Sequence, residues 1–322
     1  MQKIYKLLNL FYYLFRFGNF NLSWFLAKHA FPVDRVREIG VKNGQLLIKK
    51  TGQTFSIEQL EHCKESLPLF LNIATHDQIR LDNSVAGKVS IISNGTIING
   101  DTFDNFYVVQ ELFAEGVYAI SLNTDKIVVC DVGMNVGVAS LYFAGLKNVT
   151  GVYSYEPFPE TYQRALNNFD ANPTLKNKIF PNNAGVGGAD AELEIPVIKG
   201  ESAVMSTSDF FIDQMETDGN QKIKVGIVDI KKVLPYITER HPGEAILLKL
   251  DCEGAEYDII DQLNVTGLLK TIDVIVIEWH MKGYESLNNT LVANNFCTTV
   301  FPRPNAVMKD TGMIYAVNTN RA

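Results

Sequence analysis

The first 30 residues contain no aspartate or glutamate, no apolar run in the chain is long, and the four cysteines never form a C-x-x-C pair. Each absence removes a class of protein. Cys63, Cys130, Cys252 and Cys297 are scattered over 322 residues, which excludes a disulfide framework and suits a reduced, cytoplasmic protein. Cys130 and Cys252 are expected in buried strands. Lys6, Asn9 and Arg16 interrupt the N-terminal apolar stretch, leaving it too short to span a bilayer. No small-residue cleavage site follows it, as a secretory leader would require. The dinucleotide fingerprint G-x-G-x-x-G is missing, which argues against a nicotinamide dehydrogenase. A net charge of −7 gives no basis for a nucleic-acid partner. No internal repeat or low-complexity segment is visible. Charged residues are 20% and apolar residues 46%, so the chain is neither disordered nor a coiled coil and can fill a core in one large domain or two.

What the chain does have is centred on residues 127–146, IVVCDVGMNVGVASLYFAGL. Residues 127–131 read as a buried parallel strand and 132–137 as a glycine-rich turn. Val138, Leu141 and Tyr142 then repeat at helical spacing. Asn135 is placed to cap that helix, and Gly133 and Gly137 to let a ligand approach the backbone. The pattern is D-x-G-x-N-x-G, with Asp131 ahead of the glycines. This acid would repel a pyrophosphate but tolerate a ligand carrying a cation beside a carboxylate. S-adenosylmethionine is such a ligand, with a sulfonium, an ammonium and a carboxylate but no phosphate. A second strand at 151–155 ends in Glu156, at the distance from the turn where an acid holds a ribose diol; the alternative is a solvated loop acid. Asn183 follows a third strand at 178–182 and is placed to offer its amide to an adenine edge, with ordinary turn chemistry as the alternative.

A second chemical centre lies at residues 245–256, AILLKLDCEGAE. Lys249 falls inside a buried strand at 246–250, so an acid must stand beside it: breaking such a pair costs about 3–5 kcal/mol. Asp251 and Glu278, the latter at the end of the next strand, are the candidates. If the strand runs on, Lys249, Asp251 and Glu253 share one face, and Gly254 opens a helix. Asp131, Glu156, Asp251, Glu253, Glu278 and His280 all fall at the carboxyl ends of strands, where an open α/β sheet binds its ligands. A helix and an antiparallel pair at 298–302 and 311–317 close the chain. A mostly parallel sheet ending in an antiparallel hairpin characterises class I methyltransferases, so the fold expected is α/β, a Rossmann-like doubly wound sheet.

Residues 1–90 are expected to form a small N-terminal α+β module and residues 91–322 the catalytic domain. The module has a hairpin at 36–56 turning on Asn43-Gly44, a helical stretch at 57–74 and short strands at 78–99. Residues 201–218 form a loop long enough to serve as a lid, and acceptor choice is expected in 201–220 and in the module. Residues 1–30 carry Lys3, Lys6, Arg16 and Lys28, with Leu7, Leu8, Phe11, Leu14 and Phe15 on one helical stripe. Such a helix either lies on a membrane surface as a peripheral contact or docks on the catalytic domain or another subunit, the plainer of the two readings.

The blocks D-V-G-M-N-V-G (131–137), Y-E-P (155–157), K-L-D-C-E-G-A-E (249–256) and I-E-W-H (277–280) together resemble the FkbM family of S-adenosylmethionine-dependent methyltransferases over about residues 100–320. The third block is the most specific. Met134 departs from the alanine usual there. The resemblance implies O-methylation of a sugar, glycan or small natural-product hydroxyl; the alternative is an inactive methyltransferase-fold scaffold. It puts Asp131, Gly133, Asn135, Gly137, Glu156 and Asn183 on the cofactor, and His280, Asp251, Glu253 and Lys249 in the catalytic set. An alcohol must lose its proton, and His280 is the leading base because an unperturbed imidazole titrates near neutrality; Asp251 or Glu253 is the runner-up, and a structural hydrogen bond is the plainer role for His280. A second route has Asp251, Glu253 and Glu278 bind Mg²⁺, as in the similar catechol methyltransferases, since oxygen ligands favour it over zinc. A homo-oligomer is left open.

Overall fold

Seven strands form the main sheet: β1 (Ile127–Val132), β2 (Val149–Tyr155), β3 (Ile179–Asn182), β4 (Ala245–Leu250), β5 (Val274–His280), β6 (Phe296–Pro302) and β7 (Thr311–Asn318). The spatial order is β3-β2-β1-β4-β5-β7-β6. The first five strands run parallel, and β7 pairs antiparallel with both β5 and β6. Every residue of β1 is buried, as its unbroken Ile-Val-Val-Cys run requires of a strand covered on both faces. From β1 the chain builds outward to β2 and β3, then returns to the other side for β4 and β5. The order therefore reverses between β1 and β4, and that crevice is the ligand position of such sheets.

The computed structural model describes residues 2–85, 88–100, 103–120, 124–196, 222–303 and 310–321. The loop at 201–218 and the acceptor-choosing segment 201–220 fall outside the described residues. Five helices cover the sheet: α1 (Val138–Gly145), α2 (Pro159–Asp170), α3 (Ile230–Arg240), α4 (Glu256–Val265) and α5 (Glu285–Ala293). On one face, Val128, Cys130, Val132, Leu248, Leu250, Ile275 and Ile277 pack with apolar side chains of α3, α4 and α5, such as Leu234, Ile260 and Leu291. The other face carries Asp131, Lys249 and His280 by strand alternation, and α1 reaches it through Ser140. The inner face of α2 is Thr161, Ala165, Asn168 and Phe169, while Tyr162 and Leu166 are half-buried. A small separate sheet joins Gly185–Gly187, Lys222–Asp229 and Ala191–Pro196.

The chain divides between Ala119 and Ile120, beyond the boundary at 90 expected from sequence. The reason is local: Ser90–Ser93 pairs with Ile79–Asp82 on one side and Thr96–Asn99 on the other, so a cut at 90 would split a sheet. In the unit Met1–Ala119 the expected Asn43-Gly44 turn forms, and Asn94-Gly95 makes a second, each with two positive φ angles, the conformation of a type I′ hairpin. The helical stretch is broken in two: Ile57–Leu60, closed by a Ser56–Gln59 capping box, and Leu67–Thr75, with a kink at Cys63 between them. The N-terminus is a helical hairpin, Gln2–Phe17 and Phe20–Lys28. Among the described residues, no helix is long and apolar enough to cross a membrane.

Candidate active site

Asp131 and Lys249 stand opposite each other in the β1–β4 register. Both are buried, and Lys249 Nζ lies 3.2 Å from Asp131 Oδ1 and 3.4 Å from Asp251 Oδ2. It also donates to the carbonyls of Val132 and Gly133, at 3.3 and 2.5 Å. Burial alone would push this amine toward neutrality; the carboxylates of Asp131 and Asp251 outweigh that and hold its pKa above the ordinary lysine value. Asp131 Oδ2 accepts from the Ser140 hydroxyl at 2.6 Å, and Ser140 meets Ser154 at 2.9 Å. Sequence named Asp251 or Glu278 as the partner of Lys249. Asp251 is one; Asp131, the other, was readable as the same-face residue at the end of the adjoining strand. Lys249 ties the glycine turn to β4 from beneath.

The turn after β1 is fastened to the end of β2. Gly133 and Met134 donate to the Tyr155 carbonyl at 3.1 and 2.9 Å. The Asn135 amide donates to Glu156 Oε2 and the Phe158 amide to Glu156 Oε1, both at 3.0 Å. Each carboxylate oxygen keeps a lone pair for a further donor. Glu156 is 5% exposed, and burial raises its pKa to about 7 against the pull of those two amides. Asn183, exposed, donates its amide nitrogen to the Glu156 and Pro157 carbonyls at 2.9 and 3.2 Å; its oxygen is the group left for an adenine amine.

Two expectations for this turn change. Asn135 does not cap α1: the N-cap is Gly137, with φ +81. Asn135 itself has φ +51, and its buried Oδ1 has no hydrogen-bond partner among the described residues. The glycines are required by the protein's own packing. A Cβ on Gly133, at φ +78, would overlap the Asp251 carbonyl oxygen, and one on Gly137 would lie 2.5 Å from the Phe169 ring.

β4 ends at Leu250, and Glu253 and Gly254 both take positive φ, +53 and +109. The strand does not run on, so the expected shared face of Lys249, Asp251 and Glu253 is broken: Asp251 stays with Lys249 and Glu253 swings to His280. Cys252 lies in this turn, not in a strand. The helix begins at Glu256 rather than Gly254. Glu256 is fully buried and bridges the turn, accepting from the Gly254 amide at 2.6 Å and meeting His280 Nδ1 at 2.6 Å. His280 Nε2 lies 3.7 Å from Glu253 Oε2. Tyr257 donates its hydroxyl to the His280 and Gly283 carbonyls.

The ligand atoms of Asp251, Glu253 and His280 lie within 4.8 Å of one another. Glu278 is outside this set, two residues or about 6–7 Å back along β5. His280 is 2% exposed. Burial would lower its pKa, but Glu253, Glu256 and Glu278 outweigh burial and hold it well above the ordinary histidine value. Burial raises Glu253 to about 7, with His280 pulling the other way. The side chains of Glu253 and Asp251 are 18% and 29% exposed. The leading base expected from sequence is thus a buried imidazole held above its ordinary pKa, and beside it Glu253 is raised to about 7. These residues do not fit Mg²⁺: the ion would have to draw Asp251 off Lys249 and accept an imidazole in place of an oxygen ligand. Glu256, which completes the cluster, was missed as a site residue, although it is the last acid of the L-D-C-E-G-A-E block.

The Methyltransferase FkbM domain model matches residues 131–296, just over half of the chain. Methyltransferase 1 of Beauveria bassiana (strain ARSEF 2860) is 26% identical over 222 residues, covering 64% of this chain and 86% of that one. Methyltransferase FkbM of Methylobacillus flagellatus KT superposes on 62% of this chain with 14% identity and a TM-score of 0.39, and this chain covers 45% of its length. Precorrin-6y C5,15-methyltransferase of Geobacter metallireducens GS-15 superposes on 65% of this chain and 89% of its own, with 13% identity and a TM-score of 0.36. The family match begins at Asp131, runs through the glycine turn, Glu156 and the Lys249–Glu256 block, and takes in His280: the chain belongs to the FkbM methyltransferase domain family.

Proposed function

We propose that this methyltransferase moves a methyl group from S-adenosylmethionine to a hydroxyl oxygen of a sugar, glycan or small natural product. The observation that carries the oxygen acceptor is Glu253, a part-exposed carboxylate with a pKa of about 7, 3.7 Å from a buried imidazole. The acceptor class beyond the hydroxyl rests on the family resemblance. The cofactor reading is supported by residues whose capacity is unfilled among the described residues. Glu156 offers one lone pair on each oxygen to a ribose diol, and Asn135 Oδ1 is a buried acceptor with no donor among the described residues. Asn183 Oδ1 suits an adenine amine. When bound, S-adenosylmethionine supplies an already activated methyl group.

The protein's part is then alignment and proton removal. Alignment of two reacting groups contributes up to about 7–11 kcal/mol, and the crevice between β1 and β4, braced by Lys249, is the place for it. Glu253 takes the hydroxyl proton. The His280 imidazolium faces the carboxylate and steadies its charge, and Glu256 fixes the ring through Nδ1. Asp131 and Lys249, both buried, position the turn. The test is release of S-adenosylhomocysteine from S-adenosylmethionine over a panel of sugars, with wild type and Glu253→Gln. Turnover that depends on a sugar and disappears in Glu253→Gln is the expected result. Equal turnover in the variant would remove the base, and turnover on amines but not on alcohols would remove the hydroxyl acceptor.

A further inference from the structure

The first helix, Gln2–Phe17, is apolar on two sides, and the described residues cover only one of them. Leu10 and Tyr13 are buried, and the Tyr13 hydroxyl donates to the Phe31 carbonyl. About 145° round the same helix stand Ile4, Leu7, Leu8, Phe11 and Phe15, with exposures of 52% to 93%. Their spacing puts all five within one arc. The second helix, Phe20–Lys28, adds an exposed line of Phe20 and Trp24 ending at Lys28. Five large side chains on one helical stripe, open to water, make an apolar patch that asks for a partner.

The charges name the partner's chemistry. Residues 1–30 carry Lys3, Lys6, Arg16 and Lys28 and no acid, in a chain whose net charge is −7. Lys6 Nζ donates to the Lys28 backbone carbonyl at 3.2 Å, which ties the two helices to each other. An apolar stripe with aromatic residues, on a segment whose charged side chains are all basic, is the pattern of a helix lying in the interface of an anionic bilayer. A second copy packed through the same hairpin would bring this basic segment against itself. We infer that the hairpin Gln2–Lys28 is a peripheral anchor that lays Ile4, Leu7, Leu8, Phe11 and Phe15 into an anionic phospholipid surface. This holds independently of which acceptor is methylated.

The test is co-sedimentation of the full chain with vesicles of phosphatidylcholine alone and of phosphatidylcholine and phosphatidylserine in equal parts. Binding to the mixed vesicles is expected, weaker at high salt because the cations contribute. Phe11→Glu/Phe15→Glu lowers partitioning by at least about tenfold, and Lys3→Glu/Arg16→Glu reduces it toward the level seen with phosphatidylcholine. S-adenosylhomocysteine binding in both variants stays at the wild-type level, which shows that they are folded. Failure of the wild type to bind mixed vesicles, or binding undiminished in Phe11→Glu/Phe15→Glu, overturns the inference. So does a wild-type dimer on a sizing column that this variant converts to monomer, because a second copy would then cover the stripe.

Discussion

Lys249 keeps a full charge inside the sheet only because two carboxylates face it, and its removal shows what it does. Lys249→Met leaves Asp131 charged, buried and without its ion pair, an arrangement that costs about 3–5 kcal/mol. The expected outcome is a denaturation midpoint lowered by that amount. A loss below about 1 kcal/mol would mean that water already solvates the pair. Glu253 is read in rate rather than stability. Glu253→Gln is expected to lower kcat by about 10²–10⁴ with S-adenosylhomocysteine affinity unchanged. In the wild type the rate rises through pH about 7, where the Glu253 carboxyl loses its proton, and this limb is absent in the variant. Because Asp251 is committed to Lys249 and His280 to Glu256, EDTA and added Mg²⁺ leave both binding and turnover unchanged.

At the scale of an element, the turn after β1 is held by backbone packing. Gly133→Ala combines a left-handed conformation with overlap on the Asp251 carbonyl. Gly243 has nearly the same φ, +80, but open space around its would-be Cβ. Gly243→Ala is expected to cost about 1–2 kcal/mol for conformation alone, and Gly133→Ala about 3–5 kcal/mol, in denaturant unfolding of the two variants. Equal costs would show that the crevice can open to admit a methyl group. This turn also marks how far the sequence could be read. The strand, the two glycines and the acid at the end of β2 were legible because periodicity and spacing run along the chain. The use made of each was not. Asn135 looked like a cap because its position along the chain suits one, but the helix starts later, with Gly137 as its N-cap, and the Asn135 backbone amide is taken by Glu156 at the end of the adjoining strand. Glu253 looked like a face-mate of Lys249 because period two assumes a continuing strand, and a positive φ breaks it.

For the whole molecule, the doubly wound sheet and its antiparallel close were legible in the sequence, because hydrophobic runs and the helices between them run along the chain. The unit boundary was not: the motifs begin at residue 131, and a three-stranded sheet whose residues carry no motif runs through residue 90. Of the acids expected to share a metal, Asp251 and Glu253 do come together, with His280 in the place of Glu278; a carboxyl-end acid such as Glu278 looks equivalent to Glu253 until the depth of each along its strand is known. The acid at Glu156 joins the molecule's fold to its chemistry. Below pH about 7 it holds a proton, and a ribose diol needs the carboxylate, so cofactor binding is expected to release that proton and weaken as the pH falls.

The most direct measurement is isothermal titration with S-adenosylhomocysteine at pH 8 and pH 6, for wild type and Glu156→Gln. Micromolar binding at pH 8, weaker by about tenfold at pH 6, and weak, pH-independent binding in Glu156→Gln is the expected result. No wild-type binding at either pH, or binding that the substitution leaves unchanged, would contradict the assignment of this crevice to the cofactor.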